Sequence, residues 1–137
     1  MRVAISACLL GAPVRYDGGA KPCTEVLELA EKVDVVRVCP ETASGLPVPR
    51  PPAERRDGRV FLSDGRDVTA DFERGADLSL AAVRRSPVSL AVLKAKSPSC
   101  GVGLVYDGTY SGRLVAGRGV FADRLEREGI CVVTEET

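Results

Sequence analysis

Not one of the 137 residues is a histidine. Imidazole is the usual general base near neutral pH and a common zinc ligand, so any chemistry falls to Cys, Asp, Glu, Ser, Tyr, Lys or a bound cofactor. Charge of one sign is lacking as well, because nineteen Lys plus Arg balance nineteen Asp plus Glu. With a formal charge of zero, no global field favours nucleic acid or a membrane surface, and partners must be recognised locally. Aromatic residues make up 4% of the chain, too few for stacking platforms. Arg50, Arg55, Arg56, Arg59 and Arg66 form a locally basic segment, but Glu54, Asp57 and Asp64 interleave with them, which argues against broad nucleic-acid binding.

Long apolar runs are missing too. The N-terminal apolar stretch reaches only Leu10 before Gly11, Arg15 and Asp17, too short for a full signal peptide, and no 18-residue apolar run follows. The expectation is a cytoplasmic protein with no membrane partner. Its five cysteines then stay reduced and serve as ligands, nucleophiles or core residues rather than disulfides. Three motifs are absent: Gly101-Val102-Gly103 lacks the third glycine of a dinucleotide fingerprint, there is no phosphate loop, and the CxxC pairs of zinc ribbons are missing.

What is present fits one soluble domain spanning 1–137, with 45% hydrophobic and 28% charged residues and enough length to bury a core without disulfide staples. Arg2 to Ala7 reads as a short buried strand broken by Gly11 and Pro13. Thr24 can cap a helix with Val26, Leu27 and Ala30 on one face, ending near Lys32. Val33 to Val38 is β-branched and suits a strand buried on both faces of a parallel sheet. Glu41 to Pro52, rich in proline, reads as an ordered surface loop. Arg59 to Leu62 is one arm of a hairpin. Asp67 or Thr69 can cap a helix bearing Val68, Phe72, Ala76, Leu80 and Val83, with Arg84 and Arg85 at its C-terminal end. Val88 to Leu93 is a third apolar strand, the segment to about Gly117 is a lid, binding loop or irregular hairpin about Asp107-Gly108, Val120 to Glu128 is a helix with Gly129 at C′, and Ile130 to Thr134 is a last buried strand.

Strands alternating with helices predict an α/β protein: one three-layer, Rossmann-like domain with a mostly parallel sheet. Ligands bind at the C-terminal edge of such a sheet. Cys8, Cys39 and Cys100 each fall just past the C-terminal end of an expected strand, so three thiols far apart in sequence can meet in one crevice. Cys39 sits in Cys-Pro-Glu and Cys100 in Ser-Pro-Ser-Cys-Gly, where Pro fixes the backbone and Gly permits close approach to a ligand. Cys23 and Cys131 do not share that edge and take packing roles.

Three thiolates without histidine suit a soft metal or an iron–sulfur cluster; zinc also fits three ligands with a position left open. Glu41, two residues after Cys39, is the nearest carboxylate and a candidate proton carrier. Ser97 and Ser99 can hydrogen-bond a substrate or a sulfide. Tyr16 can stack on a flat ring, and Arg50 can meet an anion.

Several segments recur in order: Ser-Ala-Cys-Leu-Leu-Gly at 6–11, Arg-Tyr-Asp-Gly at 15–18, Cys-Pro-Glu at 39–41, Gly-Leu-Pro-Val-Pro-Arg at 45–50 and Gly-Arg-Asp-Val-Thr at 65–69. Leu-Lys-Ala-Lys-Ser-Pro-Ser-Cys-Gly at 93–101 and Tyr-Asp-Gly-Thr-Tyr-Ser-Gly at 106–112 complete the set. Together they resemble the family of small bacterial proteins that includes the thiouracil desulfurases, or desulfidases. The resemblance implies a [4Fe-4S] cluster held by Cys8, Cys39 and Cys100, with the fourth iron free of protein ligand. It further implies non-redox desulfurisation of a small thiolated pyrimidine, with proton transfer at Glu41 and help from a serine of Ser-Pro-Ser, Ser97 rather than Ser99. The alternative is a non-enzymatic, cluster-bearing sulfur carrier or redox sensor. A zinc hydrolase fits the open position but not the all-cysteine ligation.

Overall fold

The computed structural model describes residues 1–137. In chain order its elements are β1 (Arg2–Ser6), a 3-10 turn (Ala7–Leu10), α1 (Thr24–Ala30), β2 (Asp34–Val38), α2 (Pro40–Ala43), β3 (Ala53–Arg56), β4 (Arg59–Leu62), α3 (Thr69–Arg85), β5 (Leu90–Leu93), β6 (Leu104–Tyr106), β7 (Leu114–Ala116), α4 (Val120–Arg127) and β8 (Cys131–Thr134). Four strands form one parallel sheet in the order β2-β1-β5-β8. Two antiparallel hairpins, β3-β4 and β6-β7, stand outside it. The expected α/β architecture with a mostly parallel sheet is the one observed.

Side-chain alternation along the central strands explains the layers. Ala4, Ala91 and Leu93 face a cluster built with Phe72, Ala76, Leu80 and Val83 of α3, Phe121, Ala122 and Leu125 of α4, and Val60 and Leu62 of β4. Val3, Ile5 and Val92, one residue out of phase, face the opposite layer with Val26 of α1 and Leu9. Each Val, Leu, Ile or Phe among them, where fully buried, contributes about 1.5–3 kcal/mol. A one-residue slip of β1 would exchange the two faces, so the period-two pattern fixes the register as well as the layers.

Two strands expected to be buried, the one over Val33 to Val38 on both faces, are edge strands. β2 and β8 flank the sheet, and Val35, Val36, Val132 and Val133 are half-buried. Cys131, expected in a packing role, is exposed. The stretch 41–52, expected to be entirely loop, begins inside a one-turn helix, because Pro40 occupies its first turn, where a missing N–H costs nothing and the fixed φ is already helical. Thr24 is the first residue of α1 rather than its cap, the cap position being Cys23.

Helix ends follow their local chemistry. Asp67 receives the Thr69 N–H at 2.9 Å and the Thr69 hydroxyl at 2.6 Å, one position before the nominal cap of α3. At the end of α4 the Gly129 amide donates to the Glu126 carbonyl and the Ile130 amide to the Leu125 carbonyl, both at 3.0 Å, with Gly129 at φ +80°. That is the paired closure a C′ glycine permits.

Candidate active site

From β1 the chain proceeds to β2 on one side and later to β5 on the other, so the sheet has a topological switch point between β1 and β5. Crevices form outside the carboxyl ends of strands at such points. Here the Lys94 amide donates to the Ser6 hydroxyl oxygen at 2.9 Å, joining the two strand ends. A cavity of about 650 Å³ opens beyond them.

All three expected ligands line that cavity. Cys8 lies in the 3-10 turn after β1, with its carbonyl receiving the amides of Gly11 and Lys21 at 3.2 and 3.0 Å. Cys39 follows β2 at the cap position of α2, with its carbonyl receiving the Thr42 hydroxyl and the Ala43 amide. Cys100 lies after β5 in a loop organised by Ser97, whose hydroxyl oxygen receives the amides of Ser99 and Cys100 at 3.2 and 3.1 Å. This loop sits on the start of α4: the Val120 amide donates to Pro98, and those of Phe121 and Ala122 donate to Ser99. Unpaired N–H groups at a helix start are thereby spent on holding Cys100 in place.

The thiols share one electrostatic environment. Burial pushes the Cys8 thiol up to about 11, with Cys39 raising it further and Lys94 and Arg15 opposing. Burial pushes Cys100 up to about 12, opposed by the neighbouring Ser99 and Ser6 hydroxyls and reinforced by Glu41 and Cys39. Cys39 thus acts on both other thiols. No three Cys, Asp or Glu side chains close tightly enough on one point to hold a single ion. A soft, all-sulfur donor set spread around a cavity suits a cofactor of several atoms.

Glu41 stands beside these thiols, not in solvent. Its Oε1 receives Arg50 Nε and Nη2 at 3.3 and 3.1 Å, and its Oε2 receives the Ser99 hydroxyl at 3.1 Å. Ser99 Oγ is also 3.1 Å from Ser97 Oγ and 3.6 Å from Cys100 Sγ. α3 seats α2 and its glutamate: a Cβ on Gly75 would fall 1.9 Å from the Pro40 oxygen, so only glycine lets the helices meet. Arg74 adds a 2.9 Å bond to the Ser44 carbonyl.

Tyr16 also lines the cavity, with the Arg15 guanidinium 5.7 Å from its ring centroid. The two hairpins form the remaining wall with Tyr106 and Tyr110. Glu54 of β3 receives the amides of Gly108 and Tyr110 at 3.0 and 3.2 Å, and the Tyr110 hydroxyl donates to the Phe61 carbonyl. Cys23 and Cys131 are absent from the cavity lining.

Sequence reading left the roles of three contributors unassigned or incomplete. Ser6 was visible as the end of a strand and the start of the Ser-Ala-Cys-Leu-Leu-Gly segment, with no role of its own. Lys94, paired with Glu135 at 2.7 Å, faces Cys8 from the end of β5. Arg50, read as a residue that can meet an anion, is buried at 8% exposure, and the anion is Glu41. An arginine among prolines, in the same loop as the candidate acid, was the signal available.

A parallel α/β sheet with three dispersed cysteines at its carboxyl edge and a carboxylate among them defines an α/β protein with an all-cysteine donor set lining a cavity at its switch point. The family model described as 2-thiouracil desulfurase matches residues 3–137, and the chain belongs to that family. The Bacillus subtilis (strain 168) protein YbbK, itself described as uncharacterized, is 34% identical over 143 residues, covering 97% of this chain and 95% of YbbK. Among solved structures, the [4Fe-4S]-dependent thiouracil desulfidase TudS is 44% identical with a TM-score of 0.92, covering 98% of this chain and 91% of TudS.

Proposed function

We propose that this chain is a [4Fe-4S]-dependent, non-redox desulfurase of thiouracil or a related thiolated pyrimidine, acting as a single cytoplasmic domain in which cofactor and substrate share one crevice. The observation that carries the reading is the common cavity lined by Cys8, Cys39, Cys100, Glu41 and Ser99 in a chain of this family. No helix is long and apolar enough to cross a membrane.

In this reading Cys8, Cys39 and Cys100 hold the cluster. When bound, it supplies an open coordination position that polarises a thiocarbonyl sulfur. The protein supplies the rest. Tyr16, Tyr106 and Tyr110 offer ring faces, and Tyr16 and Tyr106 also hydroxyls, for a flat pyrimidine. Glu41 takes a proton from the attacking water through its Oε2 side and returns one as sulfur leaves, while the Ser99 hydroxyl keeps that oxygen aimed at the thiols. Overall, water oxygen replaces sulfur on carbon, sulfide departs, and no electrons change hands.

Protein reconstituted without oxygen should be brown, hold about four iron and four sulfide per chain, and release sulfide from 2-thiouracil. Colourless protein with one bound zinc overturns the reading. A cluster that forms while no thiolated base reacts points instead to a sulfur carrier or sensor.

A further inference from the structure

Arg50 is the most buried guanidinium of the chain, and it ties together Val14, Tyr16 and Glu41 of the cavity wall and Pro47 behind it. Its Nη1 donates to the Pro47 carbonyl at 3.2 Å and its Nη2 to the Val14 carbonyl at 3.2 Å, while Nε and Nη2 both reach Glu41 Oε1. Its backbone amide donates to the Tyr16 carbonyl. A guanidinium has five N–H donors and no acceptor. The oxygen it grips can therefore only accept, which leaves Oε2 as the carboxylate oxygen free of the guanidinium.

Oε2 is the oxygen that meets Ser99. A hydroxyl has a single proton, so Ser99 giving its own to Glu41 leaves its lone pairs to be served by the Ser97 hydroxyl, 3.1 Å away. The direction of the chain Ser97, Ser99, Glu41 is then fixed by its far end. Val14 and Tyr16 belong to the loop after β1, and Pro47 to the loop after α2, so Arg50 holds Glu41 in register with both the Cys8 and the Cys39 segments.

We infer that Arg50 is a positioning residue of the desulfurisation site, which holds the Glu41 carboxylate by Oε1 so that Oε2 faces Ser99 and the thiols. This inference rests on the proposed desulfurase reading for its kinetic consequence and on geometry alone for its structural one.

The test uses Arg50→Met, Arg50→Lys and Glu41→Gln, singly and combined, in the full chain. In reconstituted protein, Arg50→Met should lower kcat about 100-fold with KM and iron content near those of the parent, and Arg50→Lys should recover part of that loss. In the Glu41→Gln background, Arg50→Met should cost less than about 3-fold more, because both act through one group. Losses that multiply, or that track reduced iron loading or a shifted KM, overturn the inference in favour of a merely structural arginine. In cofactor-free protein, Arg50→Met should move the amide resonances of Ser99 and Cys100 as Glu41→Gln does. Unmoved resonances overturn it even if no thiolated base ever reacts, whereas an inactive parent with moved resonances indicts the desulfurase reading alone.

Discussion

Gly119 lies against the backbone of Ser99, so that a Cβ on it would stand 2.3 Å from the Ser99 carbonyl carbon and 2.5 Å from the Cys100 nitrogen. Neither atom belongs to a flexible side chain. Gly119→Ala should therefore force the Ser97–Gly101 loop away from α4 and cost about 1–3 kcal/mol. Chemical denaturation of the cofactor-free variant reads the loss. The same displacement should lower iron retention after anaerobic reconstitution, because Cys100 rides on the loop.

The two serines of the loop should separate in their effects. Ser99→Ala removes the hydroxyl that meets Glu41 and should slow sulfide release about 10-fold or more with the iron content unchanged. Ser97→Ala removes the acceptor for two loop amides and should lower iron content along with activity. Glu41→Gln should be the slowest of the three, by about 100-fold or more, with the cluster still bound. Iron analysis beside initial rates distinguishes them.

Cofactor-free protein should lose stability in alkali. Cys8 and Cys100 keep their protons up to about 11 and about 12 in the fold, against 9.0 for an ordinary thiol. Above pH 9 the unfolded chain therefore binds fewer protons than the native one, and stability falls as pH rises through that window. Urea midpoints at pH 8 and pH 10.5 should differ more in the parent than in a Cys8→Ser, Cys100→Ser double variant. At pH 8, iodoacetamide should label the exposed Cys131 well before either buried thiol.

Acid should act through a different group. Thr69 and Arg59 hold the Asp67 carboxyl down at about 2, from 3.8. The native chain then keeps Asp67 ionised where the unfolded chain takes up a proton, so its contribution is present above pH 4 and disappears as pH falls toward 2. Asp67→Asn should flatten the melting temperature against pH over that window, measured by circular dichroism, and leave iron loading at pH 7 unchanged.

Much of this arrangement is readable in the sequence because the relevant signals are local. Val3 to Ile5 and Ala91 to Leu93 are short and apolar, and Gly129 marks a helix end that the structure closes in the expected way. The three cysteines could be placed because each follows a recognisable strand. Arg50 could not be placed, since the carbonyls of Val14 and Pro47 that bury it belong to loops whose approach depends on the finished sheet. The α2 turn was hidden by Pro40 and the proline-rich loop after it, because proline is excluded from a helix interior yet favoured at a helix start. Cys131 was misjudged because an edge strand and a central one share a composition, and only the strand order tells them apart.

Cys8 and Cys100 are separated by most of the polypeptide, with β2 and its Cys39 in between. A growing chain on the ribosome thus has no chelating pocket to offer until β5 has docked beside β1 and α4 has received the Cys100 loop. On the proposed reading, iron and sulfide would be delivered to a nearly finished globule, which would make cofactor insertion a maturation step rather than a nucleus for folding.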